Sequence, residues 1–216
     1  MMLKLLVGEF YKVRIFVLFW VMIAIFTMSL IYVNTDEQVR SILASLVGAL
    51  IVTMGVFISI SVVENYESQY HGYDFMLIMP LKLLDVISAK FVMLLIILGI
   101  NVAAILPFIL LSEIGPFSSR AMVISVELAL LLGGIFHLGI ARFGFEKFLY
   151  IFFFGFGTAG FVMLLILQTT DGTKNLEYLE RLSELISRWP MVIVSILIYF
   201  VLLVITAKVK ARYLNR

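Results

Sequence analysis

Long runs of sequence without a single charged side chain constrain this chain more than any other feature. Five of them stand out: Ile15–Val33, Ser41–Val63, Phe91–Leu111, Phe148–Leu167 and the shorter Met191–Ala207. A sixth, Ala121–Ala141, is apolar apart from Glu127 and His137. A helix needs about 20 mostly apolar residues to cross the hydrocarbon of a bilayer. A soluble domain has nowhere to put so many. Hydrophobic residues make up 63% of the chain and charged ones 14%, against about 45–50% and about 25% in soluble globular domains. The excess is too large for one small core, and lipid is the simplest solvent for it. A transmembrane barrel would need short segments of alternating polarity, which are not found.

The expectation is therefore an all-α membrane protein with six transmembrane helices, forming a single domain over residues 1–216. Lys4, Lys12 and Arg14 precede the first apolar run as they would in a signal peptide. Ile15–Val33 is longer than the apolar part of a signal, however, and no A-x-A-like site follows it. It reads as a retained first span. There is no cysteine, so disulfides and thiolate metal sites are excluded. A net charge of +2 says little about partners, and no nucleic-acid partner is expected.

Basic residues near span ends set the orientation. With the N-terminus in the cytoplasm, the inner segments hold eleven of the sixteen Lys and Arg residues and the outer loops five. The basic tail Lys208, Lys210, Arg212 and Arg216 contributes most to that bias. Both ends are thus expected inside. The chain lacks any N-x-S/T sequon and its loops are compact, which fits a bacterial inner membrane.

Three segments outside the spans carry further signals. In Met2–Arg14, Lys4, Gly8 and Lys12 form a narrow polar stripe on an otherwise apolar helix, suited to lying in the membrane interface. The plainer alternative is an extension of the first span. In Gln168–Pro190, Leu176, Leu179, Leu182, Leu185 and Ile186 recur every three or four positions among charged residues. This predicts an extracellular amphipathic helix, either dipping into the outer leaflet or lying passively on the surface. Glu64–Lys90 is polar and aromatic first, apolar up to Pro80, then charged again. Exposed tyrosines and carboxylates there suit a docking surface, and an ordinary solvated loop is the alternative.

The run from Glu64 to Phe91 resembles the signature of permease subunits of type-2 ABC exporters. The resemblance lies in Tyr70, Gly72, Leu77, Pro80, Lys82, Asp85, Val86, Ala89, Lys90 and Phe91. Met79 stands where that family usually has Leu before the proline, and Phe91 where it has Tyr. The six-span layout, the interfacial first helix and the helical insertion before the last span are also similar to that family. The resemblance implies that Glu64–Lys82 is a cytoplasmic coupling helix that seats in a groove of a separate ATPase subunit. Glu64, Tyr66, Glu67, Tyr70, Gly72, Tyr73, Pro80 and Lys82 would supply or shape the contacts. It also implies a second permease chain, identical or paralogous, with ATP and magnesium held by the ATPase and no cofactor in this chain. Within that family, the exporters of amphipathic peptide toxins and of peptide antibiotics are similar in size and layout. The Phe- and Met-rich spans suit a hydrophobic or amphipathic cargo.

Ionisable or polar residues within spans are costly and mark sites of interest. Glu127 can line a pathway, bond across a dimer interface or sit wetted near the outer surface. Asn101, midway through the third span, reads more readily as a bond between helices. His137 is placed near the inner end. Pro107 is expected to kink the third span, and Gly48, Gly55, Gly99 and Ala103 offer small faces for close helix contact.

No enzymatic motif is convincing. Gly155-Phe-Gly157-Thr-Ala-Gly160 matches a dinucleotide fingerprint in letters but lies inside an apolar span without a βαβ unit. Walker A, H-E-x-x-H and G-x-S-x-G sequences are missing. Two readings from other classes stay open: a vitamin-binding membrane subunit of an importer, and a proton-coupled carrier using Glu127.

Overall fold

A computed structural model describes residues 2–34, 37–69, 82–111, 116–155, 158 and 189–214. These residues are helical almost throughout: α1 (Met2–Asn34), α2 (Glu37–Gln69), α3 (Leu83–Leu111), α4 (Pro116–Phe143), α5 (145–155) and α6 (Trp189–Leu214). All except α5 contain a stretch long and apolar enough to cross a membrane. The chain is a multi-pass membrane protein.

Burial shows the same thing from the side chains. The exposed surface is built from residues such as Ile15, Leu18, Phe26, Leu197 and Val201, while Glu9, Glu64, Glu67, Lys90, Asn101, Glu127 and His137 are buried. A water-soluble protein does the reverse. In the apolar stretches of α2 and α4, 50% and 56% of residues are buried, against 17% in both α1 and α6. α2 and α4 thus form the middle of the bundle. α2 packs on α1, α3 and α4, α3 packs on α1 and α6, and α6 also lies along α4.

Close approach depends on a few glycines. A side chain at Gly55 would run into Trp20 of α1 and Asn101 of α3, one at Gly133 into Leu94 of α3, and one at Gly134 into Leu202 of α6. Gly139 faces the ring of Phe148, so α5 can fold back on α4. The turn between α4 and α5 is made at Gly144, whose φ of 81° suits glycine. Behind it, Phe136 meets Phe57, Phe148 and Phe152 edge to face.

Several expectations are changed. α1 is one continuous helix of 33 residues, about 50 Å long at 1.5 Å per residue, so no separate interfacial helix precedes the first span. It is longer than a hydrocarbon core of about 30 Å is thick. α2 likewise runs on to Gln69, so Glu64, Tyr66 and Glu67 belong to the second span's helix and not to a separate coupling helix. α3 continues four residues past Pro107. Gly48 meets Ile105 of α3 as a small face should, but a side chain at Gly99 would meet nothing within 4 Å. The predicted fifth span is described only to residue 155 and at Thr158. The predicted outer amphipathic helix lies outside the described residues up to its last two positions, where α6 begins at Trp189 with Pro190 in its first turn.

Candidate functional site

Glu64 and Glu67 sit three residues apart near the end of α2, which places both on one helical face. That face is turned inward, and the two residues are only 3% and 2% exposed. Between their carboxylates lies the ammonium of Lys90, from the second turn of α3. Lys90 Nζ donates to Glu64 Oε1 at 2.6 Å and to Glu67 Oε2 at 2.5 Å. Lys12 of α1 approaches from the other side and donates to Glu67 Oε1 and to Glu9 Oε1, both at 2.9 Å. His137 of α4 brings Nδ1 to 3.6 Å from Glu64 Oε1. That is too long for a hydrogen bond, and the contact is an ion pair only when the imidazole is protonated. Lys210 of α6 lines a neighbouring cavity with Glu64, Lys90, His137 and Thr206.

Four helices thus place three carboxylates, two ammonium groups and one imidazole in a single buried cluster, and a fifth brings Lys210 beside it. Charges removed from water are tolerated only when well paired and well bonded, and here each lysine bridges two glutamates. Such a network is weak evidence of added stability, and its attested use is to specify which elements pair. Among the described residues no group of three or more His, Cys or acidic residues is placed to hold a metal ion, and the two lysines between the glutamates explain why.

The aromatic floor of the cluster ties in α6. Phe91, the residue after Lys90, lies 5.0 Å from the His137 ring and 4.9 Å from the Tyr199 ring, centre to centre. The Tyr199 hydroxyl donates to the Phe91 carbonyl at 2.7 Å. The stretch Val86, Ala89, Lys90 and Phe91, singled out in sequence, is therefore buried as a block at the start of α3. Lys82 caps that helix: its carbonyl accepts from the Asp85 N–H at 2.9 Å while its side chain is exposed.

Of the expected docking residues, Glu64 and Glu67 serve the cluster, Tyr66 is exposed on α2, and Lys82 is exposed before α3. Tyr70, Gly72, Tyr73 and Pro80 lie outside the described residues. Glu9 was not anticipated, although an acid three residues before Lys12 in an apolar helix is a recognisable signal.

Two further polar residues lie deeper. Asn101 is buried against Gly55 and Trp20, and neither its Nδ2 nor its Oδ1 has a hydrogen-bond partner among the described residues. The Trp20 indole instead donates to the Ile51 carbonyl at 3.2 Å. Glu127 is buried too, with Oε1 unpartnered among the described residues. Gly133 faces Leu94 where α3 and α4 run antiparallel. About two helical turns further from the cluster along each helix, Asn101 and Glu127 reach the same depth. Near that depth the described residues of α2, α4 and α5 line a cleft of about 240 Å³, where the Thr53 hydroxyl donates back to the Ala49 carbonyl. What the cavity offers is purely hydrocarbon.

Comparison with family models, with curated proteins and with solved structures finds no match to this chain.

Proposed function

We propose that this chain is the transmembrane subunit of an ATP-driven ABC exporter, crossing a bacterial inner membrane six times with both ends in the cytoplasm. Two such chains would face each other across the pathway, and two ATPase subunits would dock beneath them. The observation that carries this reading is the clamp across the proposed coupling segment. Residues 70–81 leave the end of α2 and enter α3, and the pairs Lys90–Glu64 and Lys90–Glu67 tie those two helix ends together. A load applied between them moves α2 and α3 as one body. Lys12, bonded to Glu67, passes the movement to α1, and the contact of Glu64 with His137 passes it to α4.

In this reading Glu64 and Glu67 transmit force, while Tyr66, Tyr70 and Tyr73 supply the docking contacts, Gly72 and Pro80 shape the segment and Lys82 ends it. ATP binding drives the switch only if the two conformations differ in their affinity for nucleotide through the ATPase. The hydrocarbon-lined cavity suits a hydrophobic or amphipathic cargo, with amphipathic peptides as the class suggested by the resemblance. The test is to purify the tagged chain in mild detergent and identify what accompanies it. A stoichiometric P-loop ATPase is expected, lost when Tyr66, Tyr70 and Tyr73 are replaced by alanine. Retention of the ATPase by that variant, or ATP-independent transport by the chain alone, refutes the assignment.

A second reading has one specific observation in its favour. The buried Oε1 of Glu127, unpartnered among the described residues, suits a carboxylate that takes up and releases a proton within the membrane. A proton-coupled carrier would transport in liposomes under a pH gradient without any ATPase, and Glu127→Gln would abolish that transport.

A further inference from the structure

Burial sorts the charges at the cluster end of the bundle by sign. The acids go inside: Glu9, Glu64 and Glu67 are buried, and each is bonded to a lysine. The exposed positions go to bases: Lys4 and Arg14 on α1, Lys82 before α3, Arg142 at the end of α4, and Lys208 and Arg212 at the end of α6. No carboxylate of the described residues forms an ion pair with any of these six. Glu146, an exposed acid at this end, has Lys147 beside it. The rim is therefore positive, and it borders a surface of exposed hydrocarbon side chains.

Arg14 differs from the other members of the rim. Its guanidinium lies over the Tyr11 ring, 3.7 Å from the ring centre. Stacking on an aromatic face holds the guanidinium plane and leaves the N–H groups at its edge able to donate in parallel pairs. An apolar stripe leads away from this pair along α1. Tyr11, Ile15, Leu18, Met22 and Phe26 are between 62% and 77% exposed, and their spacing of three and four residues puts them on one helical face. Lys4 shares that face, seven residues before Tyr11. The uncharged run Ile15–Val33 is about 28 Å of helix, close to the thickness of a hydrocarbon core, about 30 Å. An exposed cation inside that hydrocarbon would be costly. Both arguments put Arg14 at the hydrocarbon edge, where lipid phosphates begin.

We propose that this face of α1 binds an anionic phospholipid from the leaflet on the cluster's side. Arg14, held by Tyr11, donates its N–H groups to the lipid phosphate, and Lys4 adds positive charge farther out. One acyl chain follows Ile15, Leu18, Met22 and Phe26. From Ile15 to Phe26 is about 17 Å of helix, which matches one leaflet's half of the core, about 15 Å. A zwitterionic lipid carries its own ammonium beside the phosphate and leaves the rim's charge in place, whereas an anionic headgroup neutralises it. The inference rests on the chain being a membrane protein and holds whatever it transports.

The test strips the full chain of native lipid in detergent and titrates it with phosphatidylglycerol or phosphatidylcholine of identical acyl chains. Native mass spectrometry counts the lipids bound. The first phosphatidylglycerol should bind about fivefold more tightly than the first phosphatidylcholine, and this margin should shrink as salt rises. Arg14→Gln should remove the margin, and Tyr11→Leu should reduce it although no charge has changed. Lys82→Gln, at a rim position on another helix, should leave it in place. All three positions are exposed, so the fold should survive each change. Equal binding of the two lipids overturns the proposal and leaves the rim to an acidic protein partner. So does a margin that survives Arg14→Gln, or one that Lys82→Gln removes as fully, since the charge would then act diffusely. A Tyr11→Leu chain that keeps the full margin overturns the part assigned to the ring. Displacement by inorganic phosphate, but not by chloride at equal ionic strength, would make free phosphate the ligand and refute the lipid.

Discussion

Replacing Lys90 by methionine tests the buried cluster most directly, because one side chain there serves two carboxylates. Lys90, Glu64 and Glu67 expose only 3%, 3% and 1% of their side chains, so water cannot step in when the ammonium is removed. Methionine fills a similar volume without charge, which leaves the electrostatic loss as the main effect. Glu67 keeps Lys12 at 2.9 Å, and Glu64 keeps the more distant contact with His137, but both carboxylates lose the ammonium that lay between them. Removing one partner of a buried ion pair costs about 3–5 kcal/mol, because the other charge is stranded. At roughly 2–4 °C per kcal/mol for a chain of this length, Tm should fall by about 6–20 °C, read by thermal unfolding in detergent. The sharper part of the test is the sign of a second substitution. Glu64→Gln alone should destabilise, since it takes a partner from Lys90. In the Lys90→Met background the same change removes a buried carboxylate that has lost the Lys90 ammonium and should recover part of the loss. Equal and additive losses from the two changes would mean that the residues do not meet, and would refute the cluster.

Other sites give smaller, separable effects. Tyr199→Phe deletes the bond to the Phe91 carbonyl and should cost about 0.5–1.5 kcal/mol in the same unfolding assay. Gly139→Ala drives a methyl into the Phe148 ring and should cost about 1–3 kcal/mol as overpacking. Gly99→Ala meets nothing within 4 Å and should gain about 0.5–1 kcal/mol from helix propensity. A loss at Gly99 equal to that at Gly139 would show the packing to be wrong. Asn101→Leu replaces two buried polar atoms, unpartnered among the described residues, with hydrocarbon and should stabilise by about 1–3 kcal/mol. A destabilised variant would mean that Asn101 has a bonding partner.

Five of the spans could be located in the sequence because an apolar stretch of about 20 residues has few other causes. Their ends could not. Arg14 and Val63 look like boundaries if charge is assumed to seek water, yet α1 reaches back to Met2 and α2 runs on to Gln69. What extends them is pairing. Lys12 and Glu67 each find an opposite charge on another helix, and no periodicity within one helix can reveal that. The hint that was present is positional. Glu9, Lys12, Glu64, Glu67 and Lys90 all fall at the end of their helices expected on the same side, with acids and bases nearly balanced. The docking residues read from Glu64–Lys82 were chosen for their chemistry, and burial then separates Tyr66 from its acidic neighbours. His137 lies on that same side of the bundle, but its company was not visible.

The placement of charge also answers how a bundle in lipid chooses its own arrangement. Apolar faces cannot decide it, because lipid tails satisfy them as well as another helix does. Two local devices remain. Small residues let particular helices approach: Gly55 admits Trp20 and Asn101, and Gly133 and Gly134 admit Leu94 and Leu202. These fix distance and depth, but a different helix with a side chain of similar shape would fit nearly as well. The charges remove that freedom. Lys90 is satisfied only if the end of α2 presents Glu64 and Glu67 to it, and Lys12 only if α1 lies on the other side of Glu67. Any other order of helices leaves a carboxylate or an ammonium buried without its counterpart, at a cost of several kcal/mol. The cluster therefore acts mainly by penalising wrong arrangements, which is why its removal as a neutral set should be tolerated far better than the loss of any one member.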